Sequence, residues 1–340
     1  MSTLAATGCS FHAGVSPTDA GTPAGPTITQ PAAGQELIAA RTYLSWQAGE
    51  VPLGRTITNY EFCSTSDDAI PIDNASECPR SAVVPGLFTF LDTPVAGATY
   101  RFKVRAHLDD GSSSAYSVLG YFSTSSALIA RWKMDDVGSD TTGSGHDAVP
   151  RNGAGFVPGG LIGPALSLAG GDDHATVDDA PVLNFGVRDF AWAAWVNPDI
   201  SGVFQTFLEK GTSTNGFEIY RRPSGGLAFA GHACGEIVLV NGIVDGEWHR
   251  TFISRANGTV SVYIDGVLAG SGICADDFNN TAHLALGCNS PERGCSTPLQ
   301  GRMDEILALG TAVMPEMVLN DFCADETAAG VDPLPAACHP

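Results

Sequence analysis

The sequence predicts an all-β protein built from antiparallel sheets. Residues 246–270 contain two dipeptides, Asn257-Gly258 and Asp265-Gly266, that accept the positive φ angles required at the centre of a tight hairpin. Between these turns, residues 259–264 alternate apolar and other side chains, as a strand with one buried face does. The chain also has 40 glycines and 21 prolines, which suit loop-rich β structure better than helices.

The length of 340 residues and the charge balance limit the possible classes of protein. A chain of this length favours two domains, each large enough to bury its own core. With 17 basic and 37 acidic residues the formal net charge is −20, which repels nucleic acid and acidic lipid surfaces and excludes both as primary partners. The same charge attracts divalent cations, although a solvated acidic surface has the same composition. No apolar run reaches the roughly 18 residues of a transmembrane helix.

Residues 1–26 combine a lipidation-like motif with a tether. Residues 4–9 resemble the end of a bacterial lipoprotein signal, in which the cysteine, here Cys9, becomes the lipidated first residue. Ala6 stands where that signal usually has leucine. Residues 10–26 are rich in Ser, Gly, Pro, Thr and Ala without periodicity, as flexible tethers are. We therefore expect an exported chain with a lipid anchor at Cys9, which requires a leader upstream of Met1; the alternative is a disordered, cytosolic N-terminus.

Cysteine usage indicates an oxidising compartment. Apart from Cys9 the chain has eight cysteines, and none has the C-x-x-C spacing of zinc ribbons or thioredoxin-like motifs. Proximity along the chain favours the pairs Cys63–Cys78, Cys288–Cys295 and Cys323–Cys338, and Cys234 and Cys274 then remain as a fourth pair between strands. We therefore expect the periplasm, the cell surface or the extracellular space. Free buried thiols are the alternative.

Residues 27–125 have the pattern of a small antiparallel sandwich. Residues 99–106 alternate apolar and mostly basic side chains, and a corner at 91–97 precedes Tyr100. This arrangement resembles a fibronectin type III domain, in which the corner tyrosine hydrogen-bonds its phenol to nearby backbone. The resemblance implies a spacer module that carries no chemistry. The cysteines at 63 and 78 are not a usual feature of that family.

Residues 126–324 contain a series of motifs in longer strands separated by Gly/Asp loops. In chain order these are Trp132–Asp136, Asp140–Asp147, Gly163–Leu168, Phe190–Pro198, Trp248-His249, Tyr263–Gly266 and Gly301–Glu305. Their order and spacing resemble the laminin-G-like jelly roll of the concanavalin A-like superfamily. The resemblance implies two twisted antiparallel sheets, one of them concave. One short helix is expected at 314–322, and residues 325–340 are expected to form a tail attached through Cys338.

Asp304 is the first candidate metal ligand. Strand alternation places either Asp304 or Glu305 on a buried face, and an unpaired buried carboxylate is costly. In domains similar to this one, the corresponding aspartate often lies beside a structural Ca²⁺ that is also held by an aspartate of the early glycine-rich loop, here Asp140 or Asp147. Calcium takes six to eight oxygen ligands, which such a loop can supply. The resemblance thus implies structural Ca²⁺ at these three residues.

An ordinary salt bridge is the alternative explanation for a buried carboxylate on this strand. Arg302 and Arg131 are the nearest candidate partners. The histidines of this region, such as His146 and His174, are predicted to be surface loop residues.

The sequence argues against catalysis. Glycanases of the same superfamily carry Glu-x-Asp-x-x-Glu on one strand, so that alternation places both carboxylates on the concave face. That spacing does not occur here, and Glu209, Glu218 and Glu236 each stand alone in the sequence. No P-loop and no assignable Ser-His-Asp arrangement exists either. We therefore predict that the protein is not an enzyme.

The predicted function is ligand binding or adhesion at the cell surface or outside the cell. The expected ligand is a glycan or a surface protein, bound on the concave sheet or its loops, with no ligand-binding residue identified. Of the aromatic residues that could stack on a sugar, all four are predicted to pack in the core: Trp192, Trp195, Tyr220 and Phe229. The alternatives are a glycan-cleaving enzyme of the same superfamily and a purely architectural surface protein.

Overall fold

The computed structural model describes most of the chain, namely residues 22–66, 72, 78, 80–93, 95–200, 202–212, 214–289 and 294–339. It is almost entirely β, which confirms the predicted fold class. Both predicted hairpin turns are present, because Asn257 and Asp265 have φ angles of 49° and 51° and the glycine after each also has a positive φ. The predicted lipidation site Cys9 lies outside the described residues.

Residues 27–124 form an antiparallel sandwich, here called the N-terminal module. Its strands are β1 Thr27–Gln30, β2 Gln35–Leu37, β3 Arg41–Gln47, β4 Ile57–Thr65, β5 Arg80–Val84, β6 Phe88–Asp92, β7 Thr99–Leu108 and β8 Gly120–Thr124. One sheet has the order β1-β3-β6 and the other β2-β8-β7-β4-β5, in which β2 runs parallel to β8. Trp46, Phe62, Phe102 and Phe122 fill the space between them.

Tyr100 behaves as the sequence pattern predicts. Its phenol makes a backbone hydrogen bond with Val95, and its ring stacks on Phe122 with centroids 5.3 Å apart. Burial raises the pKa of Tyr100, and the bond with Val95 opposes that rise. The predicted sandwich is therefore observed, whereas its membership of the fibronectin type III family stays a prediction.

The second sandwich begins at Leu128. Its strands are β9 Leu128–Trp132, β10 Ala148–Arg151, β11 Gly155–Pro158, β12 Pro164–Ala169, β13 His174–Val177, β14 Phe190–Pro198, β15 Gln205–Gly211, β16 Gly216–Arg221, β17 Gly226–Gly231, β18 Gly235–Asn241, β19 His249–Ala256, β20 Thr259–Ile264, β21 Val267–Ile273, β22 Leu284–Leu286 and β23 Gln300–Leu309. The front sheet has the order β10-β13-β22-β15-β16-β17-β18. The back sheet has the order β11-β12-β23-β14-β19-β20-β21, with β9 also paired to β23.

Strand β14 of the back sheet is buried on both faces, which explains why its residues 190–196 are all apolar. Trp192 lies on its inner face, where it stacks on Trp132 with centroids 6.2 Å apart in the core between the sheets. Trp195 lies on its outer face and stacks on Phe322 of the C-terminal helix. The outer face of the back sheet is thus covered, and it is not available as a ligand surface at Trp195.

The cover of the back sheet is helix α1, Pro315–Ala328, which begins with a proline in its first turn. The helix is longer than the segment 314–322 predicted from the sequence, so the predicted boundary between residues 324 and 325 falls inside it. The physical reason is Asp325, which is buried and accepts a hydrogen bond of 2.8 Å from the Trp195 indole. This contact holds the last turns of α1 against the sheet.

The described residues contain four disulfides, and they join the pairs expected from the sequence: Cys63–Cys78, Cys234–Cys274, Cys288–Cys295 and Cys323–Cys338. Their Cα atoms are 5.4–5.6 Å apart, the usual separation for such bonds. No helix among the described residues has the length and apolar character needed to cross a bilayer.

A buried ionic network joins the N-terminal module to the back sheet and α1. Arg41 of β3 is 5% exposed and donates to Glu305 of β23 and to Asp325 of α1, each at 2.8 Å. Arg131 of β9 donates to the other oxygen of Glu305 at 3.0 Å. The attraction of these two buried carboxylates raises the pKa of Arg41 against the opposing effect of burial. Arg41 therefore links the module to two elements of the second sandwich at once.

Candidate functional site

The front sheet keeps part of its outer face accessible to solvent. Along β16, Phe217 and Ile219 point into the core, whereas Glu218 and Tyr220 lie on the opposite face and are only partly buried. The prediction that Tyr220 packs in the core is therefore wrong. The same prediction holds for the two tryptophans of β14 and for Phe229, which are buried.

Three carboxylates form a row across neighbouring strands of this face. Glu209 of β15 is in register with Glu218 of β16, which is in register with Ala230 of β17, and Ala230 is in register with Glu236 of β18. Directly opposed residues have Cβ atoms about 4.5–5.5 Å apart. Sequence reasoning missed this row because each glutamate stands alone on its strand and is joined to the others only by sheet register.

Glu218 lies at the centre of this row. The hydroxyl of Thr206 donates to its carboxylate at 2.5 Å. Burial raises the pKa of Glu218, and the bond from Thr206 opposes the rise. Glu209 and Glu218 also line a cleft of about 130 Å³, together with Asn215 and His232. The cleft is thus polar and acidic.

An aromatic and polar cluster, here called the platform, lies beside the carboxylate row. It consists of Phe204, Tyr220, Arg222 and Glu236. Arg222 forms a bidentate pair with Glu236, with two bonds of 2.8 Å, and the phenol of Tyr220 also donates to Glu236. Burial and the neighbouring Glu236 carboxylate raise the pKa of Tyr220. These bonds fix the Tyr220 ring in position.

Phe204 extends the platform toward solvent. Its side chain belongs to a residue that is 42% exposed, and its ring centroid lies 6.1 Å from that of Tyr220. The Arg222 guanidinium lies 5.7 Å from the Phe204 centroid, within the range of a cation–π contact. The platform therefore offers two neighbouring rings, a guanidinium and a carboxylate on one accessible face.

The predicted calcium ligands Asp140 and Asp147 lie in the same loop. Asp147 accepts a hydrogen bond of 2.8 Å from the backbone N–H of Asp140. The Asp140 carboxylate in turn accepts bonds from the backbone N–H groups of Arg131, Thr142 and His146 and from the Thr142 hydroxyl. Asp140 thus closes its loop with N–H and O–H donors, a role that needs no cation.

Asp304 lies on β23, and its carboxylate contacts the turn at 160–162. Its carboxylate accepts bonds of 3.1 Å from the N–H of Ile162 and 2.8 Å from that of Glu305. Among the described residues, the groups of three or more close His, Cys, Asp or Glu ligand atoms do not include Asp140, Asp147 or Asp304. The groups that do occur contain cysteine and do not test calcium, so calcium binding at these three residues stays a prediction.

The salt-bridge alternative applies to Glu305 instead. Backbone φ at Glu305 is 44°, at a position where the register between β14 and β23 shifts. Asp304 and Glu305 are both buried, Glu305 against Arg41 and Arg131 and Asp304 against the turn at 160–162. Strand alternation did not predict that both carboxylates are buried, because it places Asp304 and Glu305 on opposite faces of β23, and a strand with one buried face would bury only one of them.

Asp304 makes a testable contribution to the pH dependence of stability. Burial raises its pKa to about 8, the Glu305 and Asp135 charges act in the same direction, and the backbone donors oppose them. Between about pH 4 and about pH 8 the folded state therefore holds a proton that the unfolded state has lost, so stability falls as pH rises, by at most about 1.4 kcal/mol per pH unit. In calcium-free buffer we expect Asp304→Asn to show a flatter pH profile than the wild type in urea unfolding.

Calcium gives this experiment a second result. Calcium at Asp304 would favour the ionised carboxylate, so added CaCl₂ should flatten the wild-type profile and leave that of Asp304→Asn unchanged. Equal profiles for the two proteins without calcium would contradict the raised pKa. A wild-type profile unaffected by calcium would overturn the calcium prediction.

The comparisons with known proteins agree with this fold. The family model described as "Concanavalin A-like lectin/glucanases superfamily" (Laminin_G_3) matches residues 169–318. This match supports the predicted concanavalin A-like jelly roll. It includes β13 to β23, and therefore the carboxylate row and the platform. Among curated proteins, none matches the sequence of this chain.

Solved structures with a similar fold have low sequence identity. Domain 4 of the extracellular arabinanase AbnA from Geobacillus stearothermophilus, solved with arabinotriose, is 23% identical, with 58% of this chain and 98% of that chain covered and a TM-score of 0.48. The binding domain of Paraclostridial Mosquitocidal Protein 1 is 15% identical, with 58% and 52% covered and a TM-score of 0.50. The binding domain of botulinum neurotoxin serotype D is 13% identical, with 58% and 51% covered and a TM-score of 0.46. At these identities the likeness concerns the fold alone.

Proposed function

We propose that this protein is an exported, non-catalytic glycan-binding protein that binds its ligand on the outer face of the front sheet. The platform is the observation that carries this proposal. Sugar rings have apolar C–H faces that pack on aromatic rings, and their hydroxyls pair with carboxylate and guanidinium groups. Tyr220, Phe204, Arg222 and Glu236 supply both kinds of contact side by side.

Two further observations support this proposal. The lectin and glucanase family model matches the part of the chain that carries the platform. The disulfides suit an oxidising compartment, where surface glycans are encountered. Lipid attachment through Cys9 belongs to the same proposal and would hold the jelly roll at the cell surface, with the N-terminal module as a spacer.

A binding screen tests the proposal. Labelled protein applied to an array of plant, microbial and animal glycans, and to insoluble polysaccharides in pull-down assays, should be retained by at least one glycan class. Heat-unfolded protein is the control for nonspecific retention. Retention by none of them would contradict glycan binding and favour an architectural role.

The carboxylate row favours glycan cleavage as the second candidate function. Glu209 and Glu218 occupy opposed positions on adjacent strands, and burial raises the pKa of Glu218, as a general acid requires. Two carboxyl groups are the minimum set for glycoside hydrolysis. The binding proposal predicts that prolonged incubation with the retained glycan releases no reducing ends. Release that is lost in Glu218→Gln would establish an enzyme instead.

A further inference from the structure

A second cavity lies far from the platform in the fold, where the N-terminal module, α1 and the C-terminal tail meet. It encloses about 550 Å³, within the size range of small-molecule sites. Its walls come from the turn between β1 and β2, from the first half of α1 and from residues 337–339. None of the residues of the proposed glycan site lines this cavity.

Apolar and polarizable groups form most of the cavity wall. Tyr43 and Met317 are buried at its inner side, and the Cys323–Cys338 disulfide lies beside them. Met314 also lines the cavity and is 63% exposed. Methionine side chains adapt to ligands of different shape, and a solvent-exposed methionine in a concave surface favours an apolar ligand.

The cavity wall carries negative charge. Glu36 and Glu316 line it and are both exposed, and none of the described residues that line it is lysine or arginine. His339 also lines it, and its ring nitrogen contacts the Leu334 carbonyl at 3.1 Å. Two carboxylates beside an apolar wall attract a cation and repel an anion, in agreement with the formal net charge of −20.

The walls are held together before any ligand binds. The Tyr43 phenol donates to the Cys338 carbonyl at 3.0 Å. The Asn320 side chain bonds both the N–H and the carbonyl of Tyr43, at 3.1 and 3.0 Å. A preformed cavity lowers the conformational cost of binding. This cavity therefore needs no rearrangement of its walls to bind a ligand.

We propose that this cavity binds an organic cation with an apolar body, such as a hydrophobic amine. The apolar part contacts Met314, Met317 and Tyr43, and the ammonium group lies near Glu36 and Glu316. Because the wall belongs to the N-terminal module, to α1 and to the C-terminal tail, such a ligand bridges the N-terminal module and α1. The inference does not depend on the proposed glycan-binding function.

A matched pair of fluorescent probes tests this inference. Dansylcadaverine carries a primary ammonium group, and dansylamide has the same fluorophore without it. We expect the cationic probe to bind more tightly, with an affinity that falls as salt is added. Glu36→Gln and Glu316→Gln should each weaken the cationic probe by about two- to fivefold and leave the neutral probe unchanged. Glu50→Gln, an exposed glutamate outside the cavity wall, is the control.

A second variant keeps the test decisive. Ala33→Trp places a large side chain on an exposed position of the wall and should exclude both probes, while circular dichroism shows that the fold is retained. Equal affinity for the two probes, unchanged binding in both Glu→Gln variants, or binding that survives Ala33→Trp would each overturn the inference. Failure of dansylcadaverine to bind the wild type would also overturn it.

Discussion

Replacing Arg41 by methionine is expected to lower the free energy of unfolding by about 3–5 kcal/mol. The change leaves Glu305 and Asp325 buried without the guanidinium that now bonds both of them at 2.8 Å. Breaking a buried ion pair by removing one partner is costly because the remaining charges keep their desolvation penalty. The effect is measured by urea unfolding at neutral pH, followed by tryptophan fluorescence.

Arg55→Met is the matched control for this change. Arg55 also pairs with an aspartate, Asp110, at 2.9 Å, but it is 44% exposed and lies within the N-terminal module. Its loss should cost less than about 1 kcal/mol. If Arg41→Met and Arg55→Met cost the same, the buried network does not hold the two sandwiches together. We also expect Arg41→Met to separate the unfolding of the N-terminal module from that of the jelly roll into two transitions.

Replacing Tyr220 by alanine is expected to weaken binding of the retained glycan by about 2 kcal/mol, or roughly 30-fold. The alanine removes the ring that stacks on the sugar and also the phenol that Glu236 holds. Tyr220→Phe keeps the ring and removes one hydrogen bond, so we expect a smaller loss of about 0.5–1.5 kcal/mol. Both affinities are measured by isothermal titration calorimetry with a soluble oligosaccharide of the retained class.

Tyr121→Ala is the control for the platform. Tyr121 is 47% exposed and belongs to β8 of the N-terminal module, so its loss removes an accessible tyrosine outside the front sheet. Glycan affinity should not change in this variant. Equal affinity of Tyr220→Ala and the wild type would show that the platform does not bind the glycan.

Local sequence signals predict much of this fold. The two hairpin turns depend only on Asn257, Asp265 and the glycines that follow them, and both are present as expected. Three of the disulfide pairs follow from closeness along the chain, and Cys234–Cys274, with a sequence separation of 40, is the pair that then remains. The strand motifs of the jelly roll also carry their own spacing, which the matching family model supports.

The site could not be predicted in the same way, because it depends on contacts between distant strands. Glu209 and Glu218 become neighbours only through the register of β15 with β16. In the sequence, Trp195 cannot be told from a tryptophan in the core between the sheets. Only its packing against Phe322 of α1 shows that it lies on the outer face of the back sheet. For Tyr220 a local signal did exist. Phe217 and Ile219 alternate with Glu218 and Tyr220 along β16. Because Glu218 is charged, it marks the outward face, and Tyr220 lies on that same face.

Carboxyl footprinting tests glycan binding at the front sheet most directly. Carbodiimide labelling of accessible carboxylates is compared by mass spectrometry with and without the retained glycan. We expect Glu218 and Glu236 to be labelled less when the glycan is bound, and the exposed Glu50 and Glu247 to be labelled equally in both states. Protection confined to carboxylates outside the front sheet would contradict binding at the platform.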